Sequence, residues 1–303
     1  MFEPHKSFIL PPAKKIYVIG DIHGDLDAIL DILINKIKVL NEKKKWIGGK
    51  TVIVQLGDQL DGCRDYHCKI NDNNTDDISV LKLMTHLHTL ASKHGGAVYS
   101  LLGNHEIMNV QQNFNYVSKQ SNGKIPLYEG INSTETKFIS RKNAFKQGGI
   151  LSSFMAKTRS SALIIGSWIF IHGGIHHKNS NFKEINEKVY NWLMNKTQDN
   201  HQINTILNDP ELSHFWNRTL AQIKDNLSSH DESCIRHLEP ILQIYPNKKI
   251  IVGHTVQTNG ITSTCDKQIF RADTGISNAF NMEHKAKMIL LITNDKDIDY
   301  IPI

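Results

Sequence analysis

The chain has 303 residues, of which 40% are hydrophobic and 21% charged, an ordinary balance for a globular protein with a substantial core. Its net charge of +5 at pH 7 comes from scattered lysines and short lysine runs, whereas a nucleic-acid-binding surface needs a clustered basic stripe. No apolar stretch approaches the roughly 20 residues of a membrane-spanning helix, and the N-terminus lacks a signal-peptide pattern. We therefore expect a cytoplasmic protein without membrane or nucleic-acid partners, and the oligomeric state stays open.

Strand–helix alternation is predicted in the first third of the chain. Short apolar runs at 16–19, 51–56 and 97–102 are typical of buried strands, and helical periodicity fills the segments between them. Each of these strands is followed at once by glycine and then by aspartate or asparagine. Parallel strands with helical crossovers gather ligands at their carboxyl ends, so the pattern predicts an α/β fold with a site at that edge.

The rest of the chain continues this pattern after an interruption. Residues 110–140 are rich in Asn, Ser, Gln and Thr and are interpreted as a long loop or insertion, and residues 182–245 as mostly helical. Further strands are predicted at 161–171, 249–252, 261–265, 268–272, 288–293 and 298–301. We predict one catalytic domain over 1–303, with insertions around 110–140 and 182–245.

Five predicted strand ends carry side chains that can bind metal. A single Asp-x-His is usually accidental, but here each strand end presents an oxygen or imidazole donor beside a glycine that lets the backbone approach closely. The donors are oxygen and nitrogen without thiolate, which predicts Mn, Fe or Zn. Asp58 can bridge two ions through its two carboxylate oxygens. The predicted ligands are Asp21, His23, Asp58, Asn104, His172 and His254.

Five motifs in the order GDIHGD, GDQLD, GNHE, HGG and GHT resemble the calcineurin-like metallophosphoesterase superfamily, in its phosphoprotein phosphatase branch. Other stretches resemble the Shewanella-like (bacterial-type) phosphatases of that branch: Arg141 with AFKQGG, the element Trp216-Asn217-Arg218, and RADTGIS from Arg271. The resemblance implies an αββα sandwich of two mixed β-sheets flanked by helices. It also implies that Asp21 and His23 bind metal one, that Asp58 bridges, and that the other three ligands bind metal two. The GHT motif lacks the second histidine of the superfamily's nucleases, which favours the phosphatase branch.

A site that holds two such ions predicts the activity of a phosphomonoesterase. They convert a bridging water to hydroxide and align it for in-line attack on phosphorus. His105, next to the ligand Asn104, is the candidate general acid for the leaving group, and Asp61 is the carboxylate that orients it. Because a guanidinium matches phosphate bidentately, Arg218 is the first candidate to bind the phosphate and Arg141 the second.

The third phosphate-binding candidate stands where this chain departs from the family pattern. That pattern usually reads Asp-Arg-Gly after the second glycine-aspartate motif, whereas this chain has Asp61-Gly62-Cys63-Arg64. Arg64 either reaches the same phosphate from a rearranged loop or is a surface residue. Without a replacement for the usual arginine, substrate binding is expected to be weaker or differently specified.

The four cysteines are too few for a dense disulfide framework, and the protein is expected to be reduced. Cys63, His67 and Cys68 form a compact group without an obvious fourth ligand. We interpret them as independent loop residues, with a zinc clip or a redox-sensitive thiol as the alternative. Cys234 and Cys265 are interpreted as ordinary buried residues.

The predicted function is that of a protein phosphatase, acting on a phosphorylated protein or a small phosphomonoester. One alternative is a dinucleoside-polyphosphate or other nucleotide hydrolase, since such hydrolases share the early motifs. Arg141 and the 216–218 element favour the phosphatase. The second alternative is a catalytically impaired binding module, suggested by the missing Asp-Arg-Gly arginine. The presence of all six candidate ligands and His105 argues against it.

Overall fold

Two six-stranded β-sheets form the centre of the structure, a computed structural model that describes residues 6–64, 76–123, 125–127, 137–197, 200–280 and 286–303. The strands are β1 (Ile9–Leu10), β2 (Lys15–Ile19), β3 (Val52–Gln55), β4 (Ala97–Leu101), β5 (Ile125–Leu127), β6 (Lys137–Ile139), β7 (Arg159–Ser160), β8 (Ala162–Ile165), β9 (Trp168–Ile171), β10 (Lys249–Val252), β11 (Thr262–Thr264), β12 (Ile269–Arg271), β13 (Met288–Thr293) and β14 (Asp297–Pro302). The first sheet has the order β14-β13-β2-β3-β4-β7 and the second β1-β8-β9-β10-β12-β11, while β5 and β6 form a separate hairpin.

Both sheets are mixed, but their central strands are parallel. In the first sheet β2, β3 and β4 pair in parallel, with Ile19 opposite Gln55, and β13 joins β2 antiparallel. In the second sheet β9, β10 and β12 pair in parallel, so that Val252 lies opposite both Ile171 and Arg271. The carboxyl ends of the central strands therefore meet at one edge of each sheet.

Helices cover the outer faces of the sheets. They are α1 (Leu26–Asp31), which continues as a π-helix (Ile32–Lys36), α2 (Asp77–Ser92), α3 (Asn104–Val110), α4 (Arg141–Phe145), α5 (Ile150–Thr158), α6 (Phe182–Leu193), α7 (Asn200–Asn208), α8 (Thr219–Gln222), α9 (Glu232–His237) and α10 (Glu239–Ile244). The carboxylates of Asp25 and Asp76 cap α1 and α2 by accepting hydrogen bonds from backbone N–H groups of the first turn. In the described ranges, none of the helices has the length and apolar character needed to cross a membrane.

Alternating residues along the strands separate the layers. Val18 points between the sheets and belongs to one buried cluster with Phe170 of the second sheet. Its neighbour Tyr17 points outward and packs in a cluster with residues of α1 and α2. On the far side, Ile169 packs with Phe182 of α6. The order helix, sheet, sheet, helix confirms the predicted αββα sandwich of two mixed sheets.

Several predicted elements lie where the sequence placed them, but one does not. The predicted strands at 249–252 and 288–293 coincide with β10 and β13, and 182–245 contains α6 to α10. The single strand predicted at 161–171 is wrong, because β8 and β9 form an antiparallel pair that turns at Gly166, which has a φ of +54°. Within the predicted loop at 110–140, the described residues include the β5–β6 hairpin.

The three cysteines among the described residues are paired, contrary to the prediction. Cys234 of α9 and Cys265, in the turn between β11 and β12, form a disulfide with their Cα atoms 5.7 Å apart. Cys63 is also disulfide-bonded, whereas His67 and Cys68 lie outside the described residues. The expectation of unpaired, reduced cysteines is therefore wrong for these three residues. A disulfide needs Cα atoms roughly 4.4–6.8 Å apart, and a sequence separation of 31 residues does not reveal that distance.

Candidate metal centre

The six predicted ligands converge at the carboxyl-terminal edge of the two sheets. They follow β2, β3, β4, β9 and β10, and each is at most 7% exposed. His23, Asp58 and His254 adopt left-handed backbone conformations, with φ of +46°, +50° and +63°. Residues other than glycine seldom adopt this conformation, and such strain is concentrated at functional sites.

Asp58 lies between two groups of potential ligands. Its Oδ2 is 3.8 Å from His23 Nε2 and 3.5 Å from His172 Nε2. Ligand atoms of Asp58, His172 and His254 lie within 4.8 Å of one another, and so do those of His23, Asp58 and His105. A carboxylate shared by two such groups is the arrangement that a pair of cations requires.

Asp21 connects the same two groups from the neighbouring strand end. One of its oxygens, Oδ2, lies 4.0 Å from His23 Nε2, and the other, Oδ1, lies 3.8 Å from His172 Nδ1. Together with Asp58, it brings a second buried carboxylate to the centre.

The ring orientations of His23 and His172 direct a lone pair into the centre. Their Nδ1 atoms lie 3.1 Å from Leu60 O and 2.8 Å from Leu56 O. A carbonyl oxygen only accepts, so each Nδ1 carries the proton and each Nε2 presents a lone pair, the usual arrangement of a metal-binding histidine. Burial lowers the pKa of both rings, which favours this neutral form.

Two acceptors face each other at the centre. His172 Nε2 lies 3.0 Å from Asn104 Oδ1, and with His172 neutral neither atom has a proton to donate. His254 Nε2 is buried and has no hydrogen-bond partner among the described residues. Burial and His172 lower the pKa of His254 to about 2, which keeps its lone pair available. A cation bound by these three side chains would satisfy all of them, so the donor set fits a metal.

The carboxylates respond differently to their surroundings. Burial opposes ionisation of Asp58, but the imidazoles of His172 and His105 hold its pKa far below the ordinary range. Burial raises the pKa of Asp21 well above its usual value, and Asp273 and Asp58 raise it further. A crowded, buried group of acids of this kind is stabilised by added positive charge.

Glu106, which the sequence analysis did not select, holds the loop that carries Asp58. Its carboxylate accepts hydrogen bonds from the backbone N–H groups of Asp58 (2.9 Å), Gln59 (2.9 Å), Leu60 (3.1 Å) and Gly103 (2.7 Å). Burial, followed by the charge of Asp58, raises the pKa of Glu106 to about 7. The signal in the sequence was its place in the GNHE motif, two residues after the predicted ligand Asn104.

His105 and Asp61 form a hydrogen-bonded pair beside Asp58. His105 Nδ1 lies 2.8 Å from Asp61 Oδ2, and its Nε2 lies 3.9 Å from Asp58 Oδ2. Burial lowers the pKa of His105, but the charge of Asp58 and the hydrogen bond that His105 donates to Asp61 outweigh it, so the pKa is raised. The ring can therefore hold a proton next to the centre.

Arg141, the second candidate to bind phosphate, is buried in a hydrogen-bond network next to Asp61. Its side chain is 2% exposed; Nε donates to Asn109 Oδ1 (2.7 Å), and Nη1 and Nη2 donate to the two Asp77 oxygens (3.2 and 2.7 Å). Asn109 Nδ2 in turn donates to Asp61 Oδ1 at 2.8 Å. Asp61, Asp77, Asn109 and Arg141 form what we call the Arg141 network. It fixes the Asp61 oxygen that His105 does not use.

Arg64 and Arg218 lie against predicted ligands. Arg64 Nη1 is 3.0 Å from His105 Nε2, and its Nη2 contacts His23 Nε2. Arg218 Nη1 donates to the backbone oxygen of His254 at 3.0 Å and to Thr255 Oγ1 at 2.8 Å. The two guanidinium groups therefore contact different halves of the centre.

Comparison with known proteins defines the class. The model of the calcineurin-like phosphoesterase family matches residues 14–258, so the chain belongs to this family. It is a metal-dependent phosphoester hydrolase, as the order of its motifs predicted.

Several relatives add detail. The chain is 38% identical to the uncharacterized protein R398 of Acanthamoeba polyphaga mimivirus, over 69% of this chain and 94% of that protein. It is 26% identical to Shewanella-like protein phosphatase 2 of Arabidopsis thaliana, over 87% of this chain and 72% of that protein. The crystal structure of a cold-active protein-tyrosine phosphatase from a psychrophilic Shewanella species superposes with a TM-score of 0.70 at 19% identity, covering 98% of this chain and 83% of that one. This last likeness shows the shared fold.

Proposed function

We propose that this protein is a dimetal phosphomonoesterase that acts as a protein phosphatase. The observation that carries the proposal is the position of Asp58, a buried carboxylate shared by two groups of inward-facing ligands. The similarity of the chain to Shewanella-like protein phosphatases supports a phosphoprotein substrate. Metal one is assigned to Asp21, His23 and Asp58, and metal two to Asp58, Asn104, His172 and His254.

The ligand set suits Mn, Fe or Zn, because it consists of carboxylate, amide and imidazole donors. When bound, two such cations would supply an activated water and neutralise charge on the phosphoryl oxygens. The chain's own groups do the rest. His105 donates a proton to the leaving oxygen, and Asp61 keeps its ring oriented. The Arg141 network in turn holds Asp61, and this is the role we assign to Arg141.

Arg64 and Arg218 bind the phosphate in this proposal, from opposite halves of the centre. Arg64 replaces the arginine that Gly62 displaces from the family motif. Its guanidinium packs over the rings of Tyr116 and Phe280, 5.7 and 4.9 Å from their centroids, which places it beside His105 although it enters two residues later. Arg64→Ala is expected to raise KM about 10-fold or more, since one hydrogen bond to a charged group contributes about 1.5–3 kcal/mol. An unchanged KM would assign the phosphate to Arg218 alone.

Phosphate release in the presence of Mn²⁺ tests the function. Substrates are an aryl phosphomonoester, its diester, a dinucleoside tetraphosphate and a panel of phosphopeptides, with Asp58→Asn as the inactive control. Turnover of the monoester and of phosphopeptides, lost in the variant, is the expected result. Preference for the tetraphosphate would reassign the chain to the nucleotide hydrolases. Bound metal without turnover of any substrate would indicate a binding module instead.

A further inference from the structure

A sixth strand end reaches the metal centre and brings a residue to which the sequence analysis gave no role. Strand β12 pairs in parallel with β10, the strand that precedes His254, and Arg271 lies opposite Val252. Asp273 follows β12 by two residues, just as His254 follows β10 and Asp21 follows β2. Its side chain is fully buried. The RADTGIS segment therefore ends in the same place as the ligand-bearing motifs.

Asp273 lies against the ligand Asp21. A Cβ atom added to Gly20 would be 2.9 Å from Asp273 Cα, so the backbones of the two strand ends are in direct contact and only glycine fits at position 20. Burial raises the pKa of Asp21, and the nearby carboxyl group of Asp273 raises it further. Asp273 therefore borders the group of predicted ligands.

One oxygen of Asp273 has a structural use and the other has none that we can identify. Oδ1 accepts the backbone N–H of Gly275 at 2.9 Å, which closes the turn after β12. Oδ2 is buried and has no hydrogen-bond partner among the described residues. A turn of this kind needs a single acceptor, which asparagine or serine also supplies. The second carboxylate oxygen is therefore unexplained by the turn.

The nearby arginine on the same strand does not compensate this charge. Arg271 donates to the carboxylate of Asp225 and to the backbone oxygen of Ile223, away from the centre. A buried carboxylate beside a second carboxylate is unfavourable unless a positive charge lies close to both. Burial raises the pKa of Asp21 and of Asp273, and the positive charge of Arg64 offsets this only in part. A divalent cation held by Asp21 would compensate the two carboxylates further.

We propose that Asp273 belongs to the metal centre as a positioning residue, whose carboxylate supports Asp21 and favours a divalent cation there. This inference rests on the proposed dimetal site. Residues that support metal ligands from the outer shell typically contribute about 10- to 100-fold in metal affinity. Asp273→Asn keeps the size of the side chain and an acceptor for Gly275, removes the charge, and replaces the second oxygen with an NH₂ donor.

Mn²⁺ titration of the metal-free full chain by calorimetry, combined with thermal unfolding with and without Mn²⁺, tests the proposal. In the wild type we expect two Mn²⁺ ions. In Asp273→Asn we expect one of them to bind about 10- to 100-fold more weakly. The metal-free variant should unfold at the same or a higher temperature than the metal-free wild type, because a repulsive neighbour of Asp21 is gone. Its temperature shift on adding Mn²⁺ should be smaller.

Asp295→Asn is the matched control. Asp295 caps the β8–β9 turn by accepting hydrogen bonds from Ser167 N and Oγ (3.0 and 2.8 Å). Weakening these hydrogen bonds should lower the unfolding temperature without changing the affinity for Mn²⁺. Wild-type affinity in Asp273→Asn would overturn the inference. So would a lowered metal-free unfolding temperature with an unchanged Mn²⁺ shift, because that describes a purely structural residue.

Asp273→Ser, which keeps an acceptor for the turn, provides a second variant if Asp273→Asn does not fold. If neither folds, Asp273 is structural and the inference is wrong. A wild type that binds no Mn²⁺ would contradict the proposed dimetal function itself, which separates the two failures.

Discussion

The candidate metal centre and the Arg141 network are both buried and polar. They differ in how many of their polar atoms have hydrogen-bond partners. In the Arg141 network every guanidinium nitrogen donates to an acceptor, and Asn109 donates to both Asp61 Oδ1 and the backbone oxygen of His105. Among the described residues of the metal centre, His254 Nε2 and Asp273 Oδ2 have no partner, and His172 Nε2 faces another acceptor. Buried polar groups are normally satisfied. Acceptors that converge without donors therefore indicate where cations bind, whereas the saturated network holds the structure.

The largest effect is expected from Asp58→Asn, which removes the charge shared by both metal positions. Bound metals contribute several kcal/mol of transition-state stabilisation, so we expect turnover of an aryl phosphate to fall at least about 10³-fold. Metal analysis of the purified variant should show fewer than two ions. Full metal content with normal turnover would mean that Asp58 does not bridge, and the contrast between the two regions would lose its main support.

His105→Asn is expected to reduce turnover without releasing metal, because His105 is assigned to proton donation and not to metal binding. General acid catalysis typically contributes about 10²–10⁴-fold. The loss should be greatest for aryl phosphates with basic leaving groups and smallest for those with acidic ones, and Asp61→Asn should show the same trend. Equal losses across the leaving-group series, or loss of a metal ion, would instead make His105 a ligand, as its distance to Asp58 permits.

Arg141→Met tests the other region. It leaves Asp77 buried and unpaired, and breaking a buried pair in this way costs about 3–5 kcal/mol of the free energy of unfolding. Urea unfolding in the presence of EDTA measures the loss, and the folded variant should keep its Mn²⁺ affinity. Arg236→Met is the control, because its pair with Glu232 is exposed and worth less than about 1 kcal/mol. A variant of Arg141 that loses phosphate affinity but not stability would restore the role predicted from sequence.

The convergence of the six predicted ligands at one edge could be predicted from the sequence because it depends on local pattern. A glycine directly after an apolar strand, followed by a donor, is visible in the chain at Asp21, Asp58 and His254, and parallel strands bring such points to one edge. The contacts of Arg141 could not be predicted, since the carboxylate that binds it, Asp77, is 64 residues away. A sequence does not show whether a guanidinium points into a cleft or into the core.

Other errors have the same origin. The run 161–171 is apolar on both sides of its turn because β8 and β9 are buried on both faces, so periodicity gave no sign of the break at Gly166. Asp273 was overlooked although it follows a strand as the predicted ligands do, because alanine and not glycine precedes it. The disulfide between Cys234 and Cys265 depends on packing between distant elements. Local pattern located the site, and long-range contacts decided which side chains take part.

His214 sharpens the comparison, because a single unsatisfied atom should not be enough to make a metal site. Its Nε2 donates to the backbone oxygen of Asn179 at 2.8 Å, and its buried Nδ1 has no partner among the described residues. No carboxylate or second histidine groups with it as ligands in the described part of the chain. We therefore expect His214→Gln to leave Mn²⁺ affinity unchanged.

The same variant should alter the pH dependence of stability. Burial lowers the pKa of His214 from 6.5 to about 4, so the unfolded chain binds this proton more tightly than the folded protein does. The stability associated with the neutral ring is complete above pH 6.5 and is lost as the pH falls from 6.5 towards 4. That loss reaches about 3 kcal/mol in the wild type. Urea unfolding of both proteins at pH 7 and pH 4.5, with EDTA present, should show a smaller acid loss in His214→Gln. If both proteins lose the same free energy of unfolding between pH 7 and pH 4.5, acid acts through the carboxylates of the metal centre alone. Metal binding would then be the one measurement that distinguishes the single unsatisfied atom of His214 from the converging group.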